Sequence, residues 1–305
     1  MIRNFLFHRV GPDNDKLWPP MKTELFEKCI SYITGRYKVV KIEGLPDYKK
    51  NTKENLATIS FDDGFKDNFQ YAVPILEKYH VKASFYVVTG CIDNNIPTWT
   101  YIVDYLFQNT AKPSLHIHFD FLPQTLRIKS LKTHGLRVAY AKKLKPFLKT
   151  LSHEQRELIL NAINRAFDDV KLPGIMMSWD ELRALHGSGH TVGSHTSSHG
   201  MLGTMRNKKM VKEELENSAK TILKEIGVFP KTISYPLGSY DQDTIRLSRE
   251  VGYKMGLAVK QDVYKPENDT IFEIPRIELY NESWWKTRSR INHSLEVFKK
   301  IILYK

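Results

Sequence analysis

The sequence predicts an α/β fold on a mostly parallel sheet, either open or closed as an irregular barrel. Three observations lead there. Short apolar runs alternate with amphipathic helical stretches over most of the chain. Several of those runs end in clusters of Asp, Gly, Ser and His, and parallel sheets gather their active groups at strand ends. The 305 residues, 41% hydrophobic and 26% charged, suffice for a large domain with a sizeable core.

In order, "NFLFHRV" (4–10) reads as a strand and "KTELFEKCISYITGRY" (22–37) as an amphipathic helix with a glycine near its end. "LATISF" (56–61) is a second strand. "DNFQYAVPILEKYHV" (67–81) is a helix with Asp67 as its cap and Pro74 marking a kink or delayed start. "KASFYVVTG" (82–90) is a third strand. The rhythm then changes, and residues 93–174 are expected to form a mostly helical, basic insertion. "SWDELRALHGSG" (178–189) restores the alternation as a helix with Ser178 and Glu181 in capping-box spacing. A strand, "HTVGSH", follows, then a helix over 207–227 with Met210, Val211, Leu215, Ala219, Ile222 and Ile226 on one face. "KTISYPLG", "DTIRLSREVG", "KMGLAV" and "FEIPRI" read as strand, helix, strand, strand. The domain is thus expected over 1–92 and 175–280, with a basic, aromatic C-terminal helix over 281–305.

Composition narrows the function classes. No run approaches the ~18 apolar residues that span a bilayer, and His8 and Arg9 interrupt the first apolar stretch, unlike a secretory signal. A cytoplasmic protein is expected. Two cysteines, Cys29 and Cys91, cannot build a disulfide framework and are read as buried spectator thiols. The net charge of +12 is unevenly placed, with eight Lys or Arg and no Asp or Glu over 121–153. The aromatic-cationic stretch from Trp284 to the end is a second basic patch. Such patches suit anionic lipid, nucleic acid or a phosphate-bearing substrate; the plainer alternative is a solvated helix face.

Chemistry concentrates in two places. "SFDDG" (60–64) sets Asp62 beside Asp63 at a strand end, and adjacent carboxylates repel unless a cation, a proton or donors separate their roles. "GSHTSSHG" (193–200) places His195 and His199 four apart after another strand. Two imidazoles and one carboxylate make a three-ligand site with an open position for water, the pattern of a catalytic metal rather than a structural one. One aspartate would complete the ligand set and the other accept a proton. A mere helix cap would need one Asp and leaves the histidine pair unexplained.

"SFDDG", "SHTSSH" and "SYPLG", in this order and each at a strand end, resemble the motifs of the polysaccharide deacetylases (carbohydrate esterase family four, the NodB-homology domain). The resemblance implies a distorted (β/α) barrel that removes acetyl groups from N- or O-acetylated sugars. It also implies that Asp62 is the general base and that Asp63, His195 and His199 hold one divalent metal, zinc or else cobalt, nickel, manganese or iron. The third motif departs from the family's R-x-P-Y, with Ser234 where an arginine would brace the base. Arg276, in "EIPRI", is the candidate replacement, the alternative being a surface cation at a strand end. By the same resemblance the Leu237 amide is an oxyanion donor, and Tyr235 and Pro236 shape the substrate wall. "FLFHRVG" resembles the first strand of the biofilm-exopolysaccharide branch, whose motif order is circularly permuted, which implies that His8 is the general acid, the alternative being a hydrogen-bonded strand histidine.

The expected activity is metal-dependent hydrolysis in surface or exopolysaccharide biosynthesis. Its substrate would be an acetylated sugar or glycan, as a phosphate-bearing precursor or at an anionic inner-membrane face; nucleic acid is not the expected partner. Two rivals are a metal-dependent amidohydrolase acting on a non-sugar amide, such as a cyclic ureide, and a non-catalytic binder of glycan or nucleic acid.

Overall fold

The computed structural model describes residues 1–12, 15–47 and 54–294. In chain order its regular elements begin with β1 (Ile2–Phe7), α1 (Thr23–Thr34), β2 (Lys38–Val39), β3 (Leu56–Phe61), α2 (Val73–Lys78), β4 (Ser84–Val87) and α3 (Thr89–Asn94). A second group comprises α4 (Trp99–Asn109), β5 (Ser114–His116), α5 (Gln124–Arg127), β6 (Ile128–Ser130), α6 (His134–Leu148) and α7 (His153–Ala166). The chain then runs through α8 (Trp179–Gly187), β7 (Thr191–Ser194), α9 (Lys208–Ile226), β8 (Thr232–Ser234), α10 (Gln242–Val251), β9 (Met255–Leu257), β10 (Ile277–Glu278) and α11 (Trp284–Ile291).

Eight strands form one parallel sheet in the order β10-β1-β3-β4-β7-β8-β9, with β2 also against β3. Every residue of β3 and β4 is buried, as expected when helices cover the outer face and side chains fill the inner one. The sheet curls until its ends meet. Ile274 donates to Gly256 O and accepts from the Ala258 amide, both at 2.9 Å. Ile277 and Glu278 then pair with Phe5 and Leu6 of β1. The expected distorted barrel is therefore the observed one.

Two local expectations need correction. The strand foreseen over 272–277 is reduced to β10, because Pro275 has no N–H and the Arg276 amide turns aside to Lys260 O. Asp67 does not cap its helix: its backbone is already helical and its carboxylate accepts from Arg9 Nε and Asn68 Nδ2, each at 2.9 Å. A π turn over Asn68–Ala72 precedes α2, so Pro74 marks a delayed start. The capping box at Ser178 and the buried face of α9 are as foreseen, Met210 and Ile226 being partly buried.

Helices α4, α6 and α7 enclose their own apolar cluster, including Phe107, Leu144, Ile159 and Phe167. An antiparallel β5–β6 pair joins this layer, which the helical periodicity did not suggest. The cluster reaches Met201 and Leu237, which lie in the loops after β7 and β8. This helical layer thus sits against the carboxyl rim of the barrel. α11 packs on α1 through Trp284 and Tyr32, centroids 5.4 Å apart. The remainder of the basic tail, 295–305, lies outside the described residues.

Candidate metal and catalytic site

The tandem aspartates leave β3 in different directions because the backbone turns between them. The Asp62 amide continues the ladder, donating to Phe7 O at 3.1 Å. Asp63 then takes φ 76° and Gly64 φ 88°. A side chain at Gly64 would also meet Ile92 and Val87 at 3.1–3.2 Å, so this turn requires glycine. Asp63, Thr196, His199 and Leu237 all hold positive φ, and such strain gathers at functional sites.

His195 and His199 are held by the loop after β7. Glu214 accepts from the Ser197 amide (3.0 Å), the Ser198 amide (2.9 Å) and Ser198 Oγ (2.7 Å). Trp99 Nε1 donates to His199 O at 3.3 Å. His195 Nδ1 lies 2.8 Å from Ser234 O, so that nitrogen carries the hydrogen and Nε2 keeps its lone pair. Asp63 Oδ1 stands 3.5 Å from His195 Nε2 and 3.2 Å from His199 Nε2. That oxygen is buried and makes no hydrogen bond among the described residues. Ligands about 2.0–2.1 Å from a tetrahedral ion stand roughly 3.3 Å apart. One atom from each of the three residues falls within 4.8 Å of the others, and the set fits a divalent cation.

Asp62 points instead to a donor cage. Arg276 Nη1 and Nη2 donate to its two oxygens at 2.8 Å, and Ser234 Oγ donates at 2.9 Å. Arg276 Nη2 also reaches Ser234 Oγ at 2.8 Å, and Nε reaches Ala258 O at 3.2 Å. Arg276 is fully buried, not a surface cation. Burial alone would raise the Asp62 carboxyl, but the guanidinium and then His195 outweigh it and hold it below the usual carboxylate range. Asp63 is likewise held well below that range, burial being outweighed first by His199. Burial opposes the charge on His195, yet Asp62 and then Asp63 raise it; on His199 burial prevails and lowers it.

Asp62, Asp63, His195 and His199 share a cavity of about 260 Å³ that also meets His8, Trp18, Thr100, Lys145, Lys149, Leu237, Val259 and Glu278. His8 Nδ1 is 3.3 Å from Glu278 Oε1, and its ring stands edge-on to Trp18.

A family model described as polysaccharide deacetylase matches residues 49–256, more than half of the chain. The chain belongs to the polysaccharide deacetylase family. YxkH of Bacillus subtilis (strain 168), described as a polysaccharide deacetylase, is 20% identical over 258 residues. That match covers 84% of this chain and 63% of YxkH, so the chain spans less than two-thirds of that relative. Among solved structures, IcaB from Ammonifex degensii has a TM-score of 0.62 at 15% identity, covering 95% of this chain and 96% of IcaB. The Streptococcus pyogenes deacetylase PplD, solved in complex with acetate, has a TM-score of 0.60 at 15% identity, covering 92% and 93%. These likenesses bear on the fold and agree with the curled parallel barrel. Residues 49–256 make up its polysaccharide deacetylase family domain.

Within this deacetylase domain the wall differs from the expectation. Tyr235 and Pro236 are buried and do not line the cavity; Tyr235 packs at a tilt against Tyr240, 4.6 Å between centroids, with its hydroxyl end close against Gly256. Leu237 and Val259 form that wall instead. Sequence reasoning also missed Trp18, Thr100, Glu278 and the two lysines. Only the lysines left a signal, the acid-free run over 121–153. Ser234, read as the gap left by a missing arginine, is itself a donor to Asp62. His8 and Arg276 lie outside the span of the family model.

Proposed function

We propose that the chain is a metal-dependent hydrolase that removes acetyl groups from N- or O-acetylated sugars during surface or exopolysaccharide synthesis. The observation that carries the reading is the convergence of Asp63, His195 and His199 beside an Asp62 caged by Arg276 and Ser234, within one cavity. Family membership and the acetate bound by PplD support the same chemistry.

A divalent cation bound by Asp63, His195 and His199, zinc or another transition ion, would supply Lewis acidity toward water and the acetyl carbonyl. Asp62 stays ionised because Arg276 pairs with it, and it takes a proton from the attacking water. The Leu237 amide, on a strained residue facing the cavity, donates to the developing oxyanion. His8, oriented by Glu278, protonates the departing amine or alcohol. Trp18, part of the cavity lining, packs against the sugar. The exposed Trp285, Lys286 and Arg288 of α11 support peripheral contact with an anionic membrane.

Acetate release from a panel of acetylated sugars, with and without chelator, tests the reading. Release abolished by chelator and restored by metal is expected. Full release in chelator would exclude the metal mechanism, and release only from a non-sugar amide would favour the rival hydrolase.

A further inference from the structure

The insertion supplies two cations to the cavity that holds the metal and base residues. Lys145 in the last turn of α6 and Lys149 at its C-cap lie four residues apart, on one helix face. Both line the cavity, as does Thr100 from α4. Their roles differ. Lys145 is paired with Asp104, whose side chain is buried, and balances its charge. Lys149 is an exposed residue that lines the cavity and has no ion-pair partner among the described residues; desolvation and then Lys145 hold its ammonium below the usual lysine range, against Glu278 and Asp104. A helix C-terminus favours lysine, which would account for a solvated cation there. It does not account for an unneutralised one turned to a cavity beside a second lysine. Lys142 and Lys143 of the same helix, exposed like Lys149, do not line it. Of the acids that do line it, Asp62 is paired with Arg276, Asp63 faces the histidines, and Glu278 is engaged by His8 and Tyr280. The lysine end therefore has room for a negative charge brought by the ligand.

We infer that Lys149, seconded by Lys145, is an anion subsite, and that the substrate is an acetylated sugar carrying a phosphate or a carboxylate. Both ends belong to one cavity of about 260 Å³, so the anionic group sits on the acetylated residue or on its own linkage. This rests on the deacetylase reading for the chemistry but not for the binding.

Calorimetric titration of wild type, Lys149→Ala and Lys149→Glu separates the two. The probes are N-acetylglucosamine, N-acetylglucosamine 1-phosphate and N-acetylglucosaminuronic acid. Wild type should bind at least one charged probe tenfold or more tightly than the neutral sugar, and the tighter of the two names the anion. Lys149→Ala should erase that preference and Lys149→Glu reverse it, with neutral binding unchanged within twofold. Equal wild-type affinity for all three probes, or equal losses for charged and neutral probes in the variants, would overturn the subsite. Absence of acetate release with the charge preference intact would sink the deacetylase reading and leave the subsite standing.

Discussion

Arg276→Met tests the caging of Asp62 most sharply. The guanidinium makes two charge-assisted bonds of 2.8 Å to a carboxylate whose side chain is 2% exposed, with its own side chain fully buried. Removing one member of such a pair leaves an uncompensated buried charge and costs about 3–5 kcal/mol. Ser234 Oγ remains as a donor, worth about 1.5–3 kcal/mol to a charged acceptor, which places the expected loss near the lower bound. The double variant Asp62→Asn/Arg276→Met removes the charge itself and should recover a large part of that loss, a coupling of about 1–3 kcal/mol. Urea denaturation of wild type, both single variants and the double variant measures it. Additive losses, or an Arg276→Met midpoint equal to wild type, would show that the pair is not the buried unit described.

Replacing His8 by Ala should lower kcat by roughly 10²–10³-fold on an amide, with a smaller effect on an activated ester that needs no proton donor; equal losses on both would remove His8 from that role. Burial pushes both thiols up to about 12, so neither Cys29 nor Cys91 should react with a thiol reagent in the native protein, and both should in urea. The Asp62 carboxyl is lower in the fold than its unfolded value of about 4. Its stabilisation is then complete above that pH and lost as pH falls through the folded value. As pH falls below about 4 the urea midpoint of wild type should fall more steeply than that of Asp62→Asn; parallel curves would contradict the shift.

Much of this was legible because it is local. Apolar runs ending in Asp-Asp-Gly or Ser-His mark strand ends, and a parallel sheet aligns strand ends without further information. The turn that separates Asp62 from Asp63 is written in Gly64. What was hidden depends on partners far apart in sequence. Arg276 could be nominated as the brace for Asp62 only because Ser234 stands where the motif's arginine would; nothing near residue 276 itself announces a partner 214 residues away. The reversal at Tyr235 follows from a close approach to Gly256, visible only once β8 and β9 are paired. The acid-free run over 121–153 was conspicuous, but the packing of α6 on α4, not its composition, turns Lys145 and Lys149 toward the cavity. Asp67 failed as a cap because Arg9, on the neighbouring strand's exit, binds its carboxylate first.

Metal content and acetate release, measured together on wild type, Asp62→Asn and His199→Ala, bear most directly on the division of labour between the two carboxylates. Wild type and Asp62→Asn should each carry about one divalent ion per chain, His199→Ala should carry none, and only wild type should release acetate. Turnover at the wild-type rate by metal-loaded Asp62→Asn, or by metal-free His199→Ala, would contradict it.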